Sequence, residues 1–264
     1  HGNYGEFYNR NTEHINTLGF EHHYDLKHFE SLDSNVPLIH SYLDDKYFFE
    51  RFVDLMPNDK FFAYGISVTS HSPYVPTQEI HQHNFKGLTR LASSYLDFCH
   101  YTDQAIGIFI DSLEKANLLD DSIVVFFGDH TSSLFKPDLE SIMKTNLTEV
   151  DFRLTLQSVP LIIYNEHLFT PKINNKVTGT VDLYRSFANL FGLETKYHFG
   201  NDIFTDEPGY IYSPRNLDLI FNDFTCFYPS NDVFGKVNNL EYFLNIFEQY
   251  KYTNDLILKS RYFR

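Results

Sequence analysis

Tryptophan is absent from this chain, and cysteine and methionine occur only twice each. The two cysteines, Cys99 and Cys226, lie far apart in the sequence, so a disulfide framework is not expected and we interpret both as buried thiols. Long hydrophobic runs are also missing, since no stretch approaches the roughly 18 apolar residues that span a membrane. No signal peptide is recognisable at the start. Because the sequence opens on His1 rather than Met, we expect a piece of a longer or processed protein, with any anchor upstream.

Positive charge is scarce. The chain has 21 Lys and Arg against 35 Asp and Glu, and its formal net charge is −14. Nucleic-acid binding through a broad basic face is therefore not expected, because neutralising phosphates needs clustered Lys and Arg. An acidic surface still allows a small anionic substrate if a metal ion and a few local cations hold it.

The apolar residues suffice for a core. Of the 264 residues, 42% are hydrophobic and 17% aromatic, mostly Phe and Tyr. Short apolar runs predict buried strands at 61–69, 123–127 and 159–164. Apolar spacings of three and four predict helices, which are 47–55, 87–118 and 181–191. Strand-like segments follow at 209–213, 218–221 and 224–228. After them we expect a helix at about 238–250 and another helix beyond it.

Strands that alternate with helices predict an α/β fold with a mostly parallel sheet flanked by helices. A small antiparallel sheet and a helix are expected at the C-terminal end. No repeat or low-complexity linker interrupts the chain, so we predict a single domain over 1–264. Its main α/β part is expected to extend to about 205, and the antiparallel strands and last helix to occupy about 206–264.

Gly128-Asp129-His130 directly follows the most apolar short run, 123–127. Open α/β sheets bind ligands outside the carboxyl ends of their strands, so the pair lies where a site is expected. A carboxylate oxygen and an imidazole nitrogen together suit a divalent ion such as Mn²⁺ or Zn²⁺. For the pair alone, a structural role is an equal alternative, with Asp129 capping the next turn and His130 bonding nearby groups. Two other histidine pairs, His22-His23 and His81-x-His83, lie in polar stretches and are interpreted as solvated.

Four segments carry a family resemblance. They are His1-Gly-Asn-Tyr-Gly-Glu-Phe-Tyr-Asn-Arg10, Thr69-Ser-His-Ser-Pro-Tyr74, Gly128-Asp-His130, and Thr180-Val-Asp-Leu183 followed by Gly200-Asn-Asp-Ile-Phe204. In this order they resemble the extracellular domain of the lipoteichoic acid synthase family, phosphoglycerol transferases of the sulfatase and alkaline phosphatase superfamily. The resemblance covers essentially the whole chain. The first two segments are its most specific part, because a three-residue match occurs by chance.

The resemblance implies a metal site. Asp129 and His130 would bind the divalent ion that the family uses, often Mn²⁺, with Mg²⁺ or Zn²⁺ as alternatives. The family's Thr nucleophile and a further acidic metal ligand match no residue here and are expected upstream of His1. We therefore expect a sulfatase-like catalytic domain truncated at its N-terminus, which holds its metal weakly and is inactive alone.

The resemblance also implies a substrate pocket. Its residues for the glycerol-phosphate group are His1, Asn3, Tyr8, Arg10 and His71, with His71 in the catalytic position. Arg10 would offer a forked, permanently charged donor set for phosphate, and His71 would donate to a phosphoryl oxygen or to the leaving group. Tyr8 stands where relatives commonly have Trp, which keeps the aromatic wall and loses the indole donor. Asp182 and Asp202 match family positions that we interpret as structural caps.

The favoured hypothesis is a bacterial transferase anchored in the cell membrane through an upstream segment, with its catalytic domain extracellular. It would move glycerol phosphate from a phosphatidylglycerol-type lipid donor to a polymer or glycolipid acceptor through a phospho-Thr intermediate. One alternative is a sulfatase, phosphatase or phosphodiesterase of the same superfamily. The Cys/Ser-x-Pro-x-Arg motif of sulfatases is absent from this sequence, although it too would lie upstream. The other alternative is a binding domain that kept the fold without the chemistry. The retention of Arg10, His71, Asp129 and His130 argues against it.

Overall fold

The computed structural model describes residues 1–3, 18–83, 85–213, 218–227, 230 and 232–260. By its internal contacts the chain divides into two compact units, His1–Thr170 (unit 1) and Pro171–Arg264 (unit 2). This division precedes the boundary expected near 205, and the single domain over 1–264 stays a prediction. None of the described helices is both long and apolar enough to cross a membrane.

Unit 1 is the larger of the two and mixes helices with short strands. In its described part the helices are α1 (Leu26–Leu32), α2 (Asp45–Asp54), α3 (Arg90–Lys115), α4 (Lys136–Met143) and α5 (Glu149–Gln157), and the strands are β1 (Leu38–Ile39), β2 (Tyr42–Leu43), β3 (Val124–Phe127) and β4 (Leu161–Tyr164). The predicted helices at 47–55 and 87–118 are confirmed as α2 and α3.

Helix α3 is the central packing element of unit 1. Its N-cap is Thr89, whose side chain accepts a hydrogen bond from the Ala92 backbone N–H at 3.0 Å. Ala105, Phe109 and Leu113 recur at four-residue spacing and are buried against α1 and α2. The rings of Phe109 and Phe49 lie 5.2 Å apart between α3 and α2. Each such buried side chain contributes about 1.5–3 kcal/mol, which fixes α2 on α3.

The pairing of β3 with β4 corrects the sequence analysis. The two strands are antiparallel, with Val124 opposite Tyr164 and Phe127 opposite Leu161. Every strand pair in the described part of the chain is antiparallel, so the mostly parallel arrangement predicted for the sheet is not found there. The reason is the connection: α4 and α5 bring the chain back to the end of β3 where it left, and a parallel partner needs a crossover to the opposite end.

The predicted strand at 61–69 is wrong, because these residues join no ladder in the structure. The backbone N–H groups of Val68 and Thr69 instead donate to the carboxylate of Asp45, at 2.8 and 3.1 Å. The Asp45 backbone N–H in turn donates to the Thr69 hydroxyl at 3.1 Å. A buried side chain therefore satisfies the backbone that a neighbouring strand would otherwise pair with.

Helices α4 and α5 were not predicted, because their apolar faces are narrow. Leu139 and Leu147 are buried between them, whereas none of the residues of α5 is buried. Local polar contacts define α5 instead. The Thr148 side chain accepts from the Asp151 backbone N–H at 3.1 Å, and the Asp151 carboxylate accepts from the Thr148 backbone N–H at 3.3 Å. This reciprocal pair is a capping box.

In its described part, unit 2 contains a four-stranded antiparallel sheet and two helices. Its described elements are α6 (Asp182–Leu190), β5 (Tyr210–Ser213), β6 (Asp218–Phe221), β7 (Phe224–Phe227), β8 (Asp232–Gly235) and α7 (Leu240–Ser260). The strands follow one another in the order β5-β6-β7-β8. Phe247 of α7 is fully buried against Leu219 and Cys226 of the sheet. The α/β class with a C-terminal antiparallel sheet and final helix is thus confirmed, although β8 was not predicted and α7 is one continuous helix.

Two aspartates of unit 2 have the structural role expected of them. The Asp182 carboxylate is buried and accepts from the backbone N–H groups of Gly179, at 2.8 Å, and Asn201, at 2.6 Å. Asp202 accepts from the Phe204 backbone N–H at 2.9 Å. A β-carbon at Gly200 would lie 2.2 Å from a backbone oxygen of the α6 start, so only glycine allows this close approach.

We predict that the stability contributed by Asp45 falls as the pH rises from about 4 to about 6. Burial raises the pKa of this carboxyl to about 6, against the opposing effect of its hydrogen bonds from Val68 and Thr69. The folded chain therefore keeps the proton to higher pH than the unfolded chain does. A contribution of about 3 kcal/mol is fully present below about pH 4 and is lost above about pH 6.

The free energy of unfolding in urea is measured for the unsubstituted chain and for Asp45→Asn from about pH 4 to about pH 7. The difference between the two isolates the effect of Asp45, because both proteins contain all the other carboxyl groups. The unsubstituted chain should lose stability relative to the variant across the window. Parallel stability curves would contradict the prediction.

Candidate functional site

The turn that carries His71 is fixed on both sides by buried residues. Before it, Thr69 is 2% exposed and bonded to Asp45. After it, Tyr74 is 5% exposed and packs its ring edge against Phe98, with centroids 5.8 Å apart. His71 itself is exposed, and its backbone N–H donates to the Val68 carbonyl at 2.9 Å. The two anchors hold an exposed imidazole at a defined position.

The second segment of the site leaves the end of β3. The Gly128 backbone N–H donates to the Pro160 carbonyl at 3.1 Å, which extends the ladder with β4 by one bond. A β-carbon at Gly128 would lie 2.8 Å from the Val159 β-carbon, so a side chain here would push the strands apart. Asp129 and His130 follow beyond the ladder, and their side chains are 65% and 64% exposed.

The structure brings His71, Asp129 and His130 together. The rings of His71 and His130 meet edge to face with their centroids 6.2 Å apart. The Nε2 atom of His130 lies 3.6 Å from Oδ1 of Asp129. Residues far apart in sequence thus meet at the end of β3, as expected, while their roles stay predictions.

Local hydrogen bonds fix the tautomers of both imidazoles. Nδ1 of His71 lies 2.8 Å from the Ser72 carbonyl oxygen, and Nδ1 of His130 lies 2.9 Å from the Thr131 carbonyl oxygen. A carbonyl only accepts, so each Nδ1 carries a hydrogen and each neutral ring has its lone pair on Nε2. Nε2 is therefore the atom of each ring that can bind a metal or take a proton.

The donor set of Asp129 and His130 fits a divalent metal ion. Two ligands on one ion at about 2.1 Å lie roughly 3.0–3.5 Å apart, close to the 3.6 Å between Oδ1 and Nε2. The carbonyl of Thr131 supplies the outer hydrogen bond that orients a ligating imidazole. The pair is half of a four-ligand shell, and weak binding stays a prediction.

Tyr64 is a neighbour that the sequence analysis missed. Its ring stacks on Phe127 at the end of β3, with centroids 6.3 Å apart. Burial and then the negative charge of Asp129 raise the pKa of its hydroxyl, which stays protonated and can donate. The available signal was its place in segment 61–69, directly before the His71 turn.

Gly2, between His1 and Asn3, lies against β2 and against the segment that leads to His71. The Leu43 backbone N–H donates to the Gly2 carbonyl at 2.8 Å, and a β-carbon at Gly2 would lie 3.6 Å from Val68. Nδ1 of His1 accepts from the Asn3 backbone N–H at 3.3 Å, so its ring carries the proton on Nε2. The convergence of His1 and Asn3 with Asp129 stays a prediction, and Tyr8 and Arg10 lie outside the described residues.

Strand β4 ends in the same pattern as β3. Glu166-His167 follows Tyr164 at the spacing at which Asp129-His130 follows β3, and its carboxylate also lies 3.6 Å from Nε2 of the imidazole. Its ligand atoms and one of Asp120 lie within 4.8 Å of one another. Because the ladder is antiparallel, this exposed group lies at the end opposite to Asp129.

One histidine interpreted as solvated has a buried partner instead. Nδ1 of His83 donates to the Asp97 carboxylate at 2.8 Å, and Asp97 is only 3% exposed. The solvated interpretation is therefore wrong for His83.

Comparisons with known proteins agree with this architecture. A family model described as Sulfatase matches residues 1–193. The chain is 27% identical over 249 residues to the lipoteichoic acid synthases of Staphylococcus aureus strains USA300 and COL, and the matched region covers 90% of this chain and 37% of each relative. The chain thus spans little more than a third of the length of these relatives.

Two solved structures share the fold. A protein in the alkaline phosphatase superfamily from Vibrio parahaemolyticus matches with a TM-score of 0.66 at 18% identity, over 98% of this chain and 64% of that one. Ps i-CgsB in complex with k-i-k-neocarrahexaose matches with a TM-score of 0.53 at 17% identity, over 92% and 58%. The family model covers well over half of the sequence, and the chain therefore belongs to the sulfatase family.

Proposed function

We propose that this chain is part of an extracellular, metal-dependent phosphoglycerol transferase of the lipoteichoic acid synthase type. The observation that carries the proposal is the meeting of His71 with Asp129 and His130, in a chain similar to lipoteichoic acid synthase over 90% of its length. A structural remnant has no physical need to keep two imidazole lone pairs and a carboxylate exposed at one strand end. The donor would be a phosphatidylglycerol-type lipid and the acceptor a glycerol-phosphate polymer or glycolipid.

Asp129 and His130 would hold the divalent ion, for which Mn²⁺ is the first candidate. When bound, the ion neutralises negative charge on the phosphoryl oxygens. Oδ1 of Asp129 and Nε2 of His130 supply the ligand atoms, and the Thr131 carbonyl keeps the His130 ring in the ligating tautomer. Tyr64 lies against the same strand end and offers a neutral hydroxyl donor.

His71 would move a proton at its Nε2 atom. Because Nδ1 donates to Ser72, the neutral ring can only accept at Nε2, and the protonated ring can donate there. We infer that the ring takes the proton of an attacking hydroxyl or, once protonated, gives it to the leaving oxygen. His71 is exposed, so a substrate can reach its ring.

The remaining pocket residues would bind the glycerol-phosphate group. Arg10 offers a planar fork of N–H donors for the phosphate. His1, with its proton on Nε2, would join Asn3 and Tyr8 in reading the glycerol hydroxyls. A phospho-Thr intermediate requires a nucleophile that no residue of this sequence matches, so we infer that activity requires a longer protein. The relatives, of which this chain covers 37%, have room for the nucleophile and for a membrane anchor.

From the proposed function we first predict that the full-length protein with Mn²⁺ releases diacylglycerol from a fluorescent phosphatidylglycerol analogue, and that His130→Ala abolishes this release. Loss of Nε2 leaves Asp129 as a single ligand from this pair. His167→Ala is the matched control, because its imidazole is equally exposed and also lies 3.6 Å from the preceding carboxylate. If His167→Ala lost as much activity as His130→Ala, the assignment of His130 as a metal ligand would be contradicted.

The second prediction concerns Arg10. Arg10→Ala should lower kcat/KM by about 30-fold to 1000-fold, equivalent to about 2–4 kcal/mol of lost stabilisation for one charge-stabilising donor. Arg51→Ala is the control, since Arg51 is exposed and ion-paired with Asp54 on α2. Steady-state kinetics on the lipid analogue measure both. Unchanged kcat/KM in Arg10→Ala would exclude a phosphate-binding role.

The same assay separates the transferase from the hydrolases of the superfamily. A protein that cleaves aryl sulfates and leaves phosphatidylglycerol intact is a sulfatase, and the transferase proposal is then wrong. A protein with neither activity at saturating Mn²⁺ would point to a binding domain.

A further inference from the structure

Three imidazoles and a buried carboxylate form a second cluster in unit 1, and it shares no residue with the site above. The rings of His81 and His83 meet edge to face with centroids 4.5 Å apart. The rings of His83 and His100 meet in the same way at 4.9 Å. Asp97 lies one turn before His100 on α3 and bonds His83. We name these four residues the histidine cluster.

Asp97 orients the central imidazole. One of its carboxylate oxygens accepts from the His83 backbone N–H at 2.9 Å and from Nδ1 of the ring at 2.8 Å. The carboxylate is 3% exposed, so its position is fixed by the packing of α3. With Nδ1 donating, the lone pair of neutral His83 lies on Nε2. A carboxylate behind an imidazole is the usual outer contact of a metal-binding histidine.

A different contact orients His100. The Nε2 atom of this ring lies 3.0 Å from the side-chain nitrogen of Gln104. The side-chain oxygen of Gln104 is used by the Lys46 ammonium group, which donates to it at 2.7 Å. The amide nitrogen therefore donates to His100, and the lone pair of this imidazole also lies on Nε2. His83 and His100 thus each carry an Nε2 lone pair.

We propose that the histidine cluster is a binding site for a divalent transition metal ion, with Zn²⁺ as the ion of choice. His81, His83 and His100 are the ligands and Asp97 is the outer carboxylate. Neutral imidazoles prefer borderline ions such as Zn²⁺ over the hard ions that an all-oxygen site selects. Three protein ligands and a water molecule complete a four-coordinate shell.

The two ring spacings to His83 fit such a shell. Two imidazoles on one tetrahedral ion, with metal–nitrogen distances of about 2.0–2.1 Å, have ring centroids roughly 5 Å apart. The cluster has 4.5 and 4.9 Å. The nitrogens of the three imidazoles do not converge in the structure. His81 and His100 are exposed, and they must turn their rings until one nitrogen of each points at an ion bound to Nε2 of His83. The ion displaces the Gln104 amide from His100 and leaves the buried Asp97–His83 bond intact.

The charges near the cluster act in both directions. The buried Asp97 carboxylate favours a cation, whereas Lys46 opposes it from beyond Gln104. Lys46 is held over the Tyr101 ring, with Nζ 4.1 Å from the centroid. The carboxylate contacts a ligand directly while the ammonium group is separated from His100 by an amide, so the nearer charge favours binding.

Calorimetric titration of the whole chain with Zn²⁺ at neutral pH tests the proposal. The starting protein is His130→Ala/His167→Ala, which removes the imidazoles of the two strand-end groups that could also bind the ion. We expect this starting protein to bind one Zn²⁺ per chain. Adding His83→Ala or His100→Ala should lower the Zn²⁺ affinity at least about tenfold. Adding Asp97→Asn should lower the Zn²⁺ affinity by about 10–100-fold. Co²⁺ in place of Zn²⁺ should give the intense visible absorption of a four-coordinate ion.

Two controls keep the outcome clear. His22→Ala removes an exposed imidazole outside the cluster and should leave the isotherm unchanged. Thermal unfolding without metal shows whether the Asp97→Asn variant still folds. If that variant does not fold, His81→Ala and His100→Ala still test the proposal, because they replace exposed side chains. No Zn²⁺ binding by the starting protein, or equal binding by it and by the His83 and His100 variants, would overturn the proposal.

Discussion

The placement of the candidate site depends on one buried carboxylate. Asp45 begins α2, which the aromatic packing of Phe49 and Phe109 fixes on α3. From that position it accepts the backbone N–H groups of Val68 and Thr69. The turn that follows can then carry His71 toward His130. Burying this carboxylate is unfavourable, and the hydrogen bonds from the two backbone N–H groups, which have no neighbouring strand as a partner, offset part of that free energy.

Much of the fold follows from apolar periodicity. The apolar spacing over 87–118 predicted α3, and the apolar runs at 123–127 and 159–164 predicted β3 and β4. The direction of β4 relative to β3 could not be predicted. The residues of a strand do not indicate at which end of its neighbour the connecting segment returns the chain. Helices α4 and α5 escaped notice because polar capping contacts define them, as at Thr148 and Asp151, more than an apolar stripe does.

The sequence pointed to three residues of the candidate site that the fold brings together, and not to which nitrogen of each ring carries the proton. Strand ends and family-like motifs pointed to His71, Asp129 and His130, which the fold brings together. The protonated nitrogen of each ring depends on a carbonyl one residue away, and that contact is visible only in the folded chain. The contact of His83 with Asp97 is likewise visible only in the folded chain, because Asp97 lies on α3. The polar residues around His83 in the sequence did not indicate a buried carboxylate partner.

The two-stranded ladder of β3 and β4 has a further physical consequence. In the described part of the chain this ladder has two strands, and a two-stranded ladder alone is marginally stable in water. Ile162 and Tyr164 of β4 expose 56% and 37% of their surface. Apolar surface next to unpaired strand edges favours association between molecules. The net charge of −14 opposes this by mutual repulsion, which salt screens over a Debye length of about 8–10 Å. Colloidal behaviour of the chain should therefore be governed by ionic strength, with low salt keeping molecules apart and high salt allowing their strands to meet.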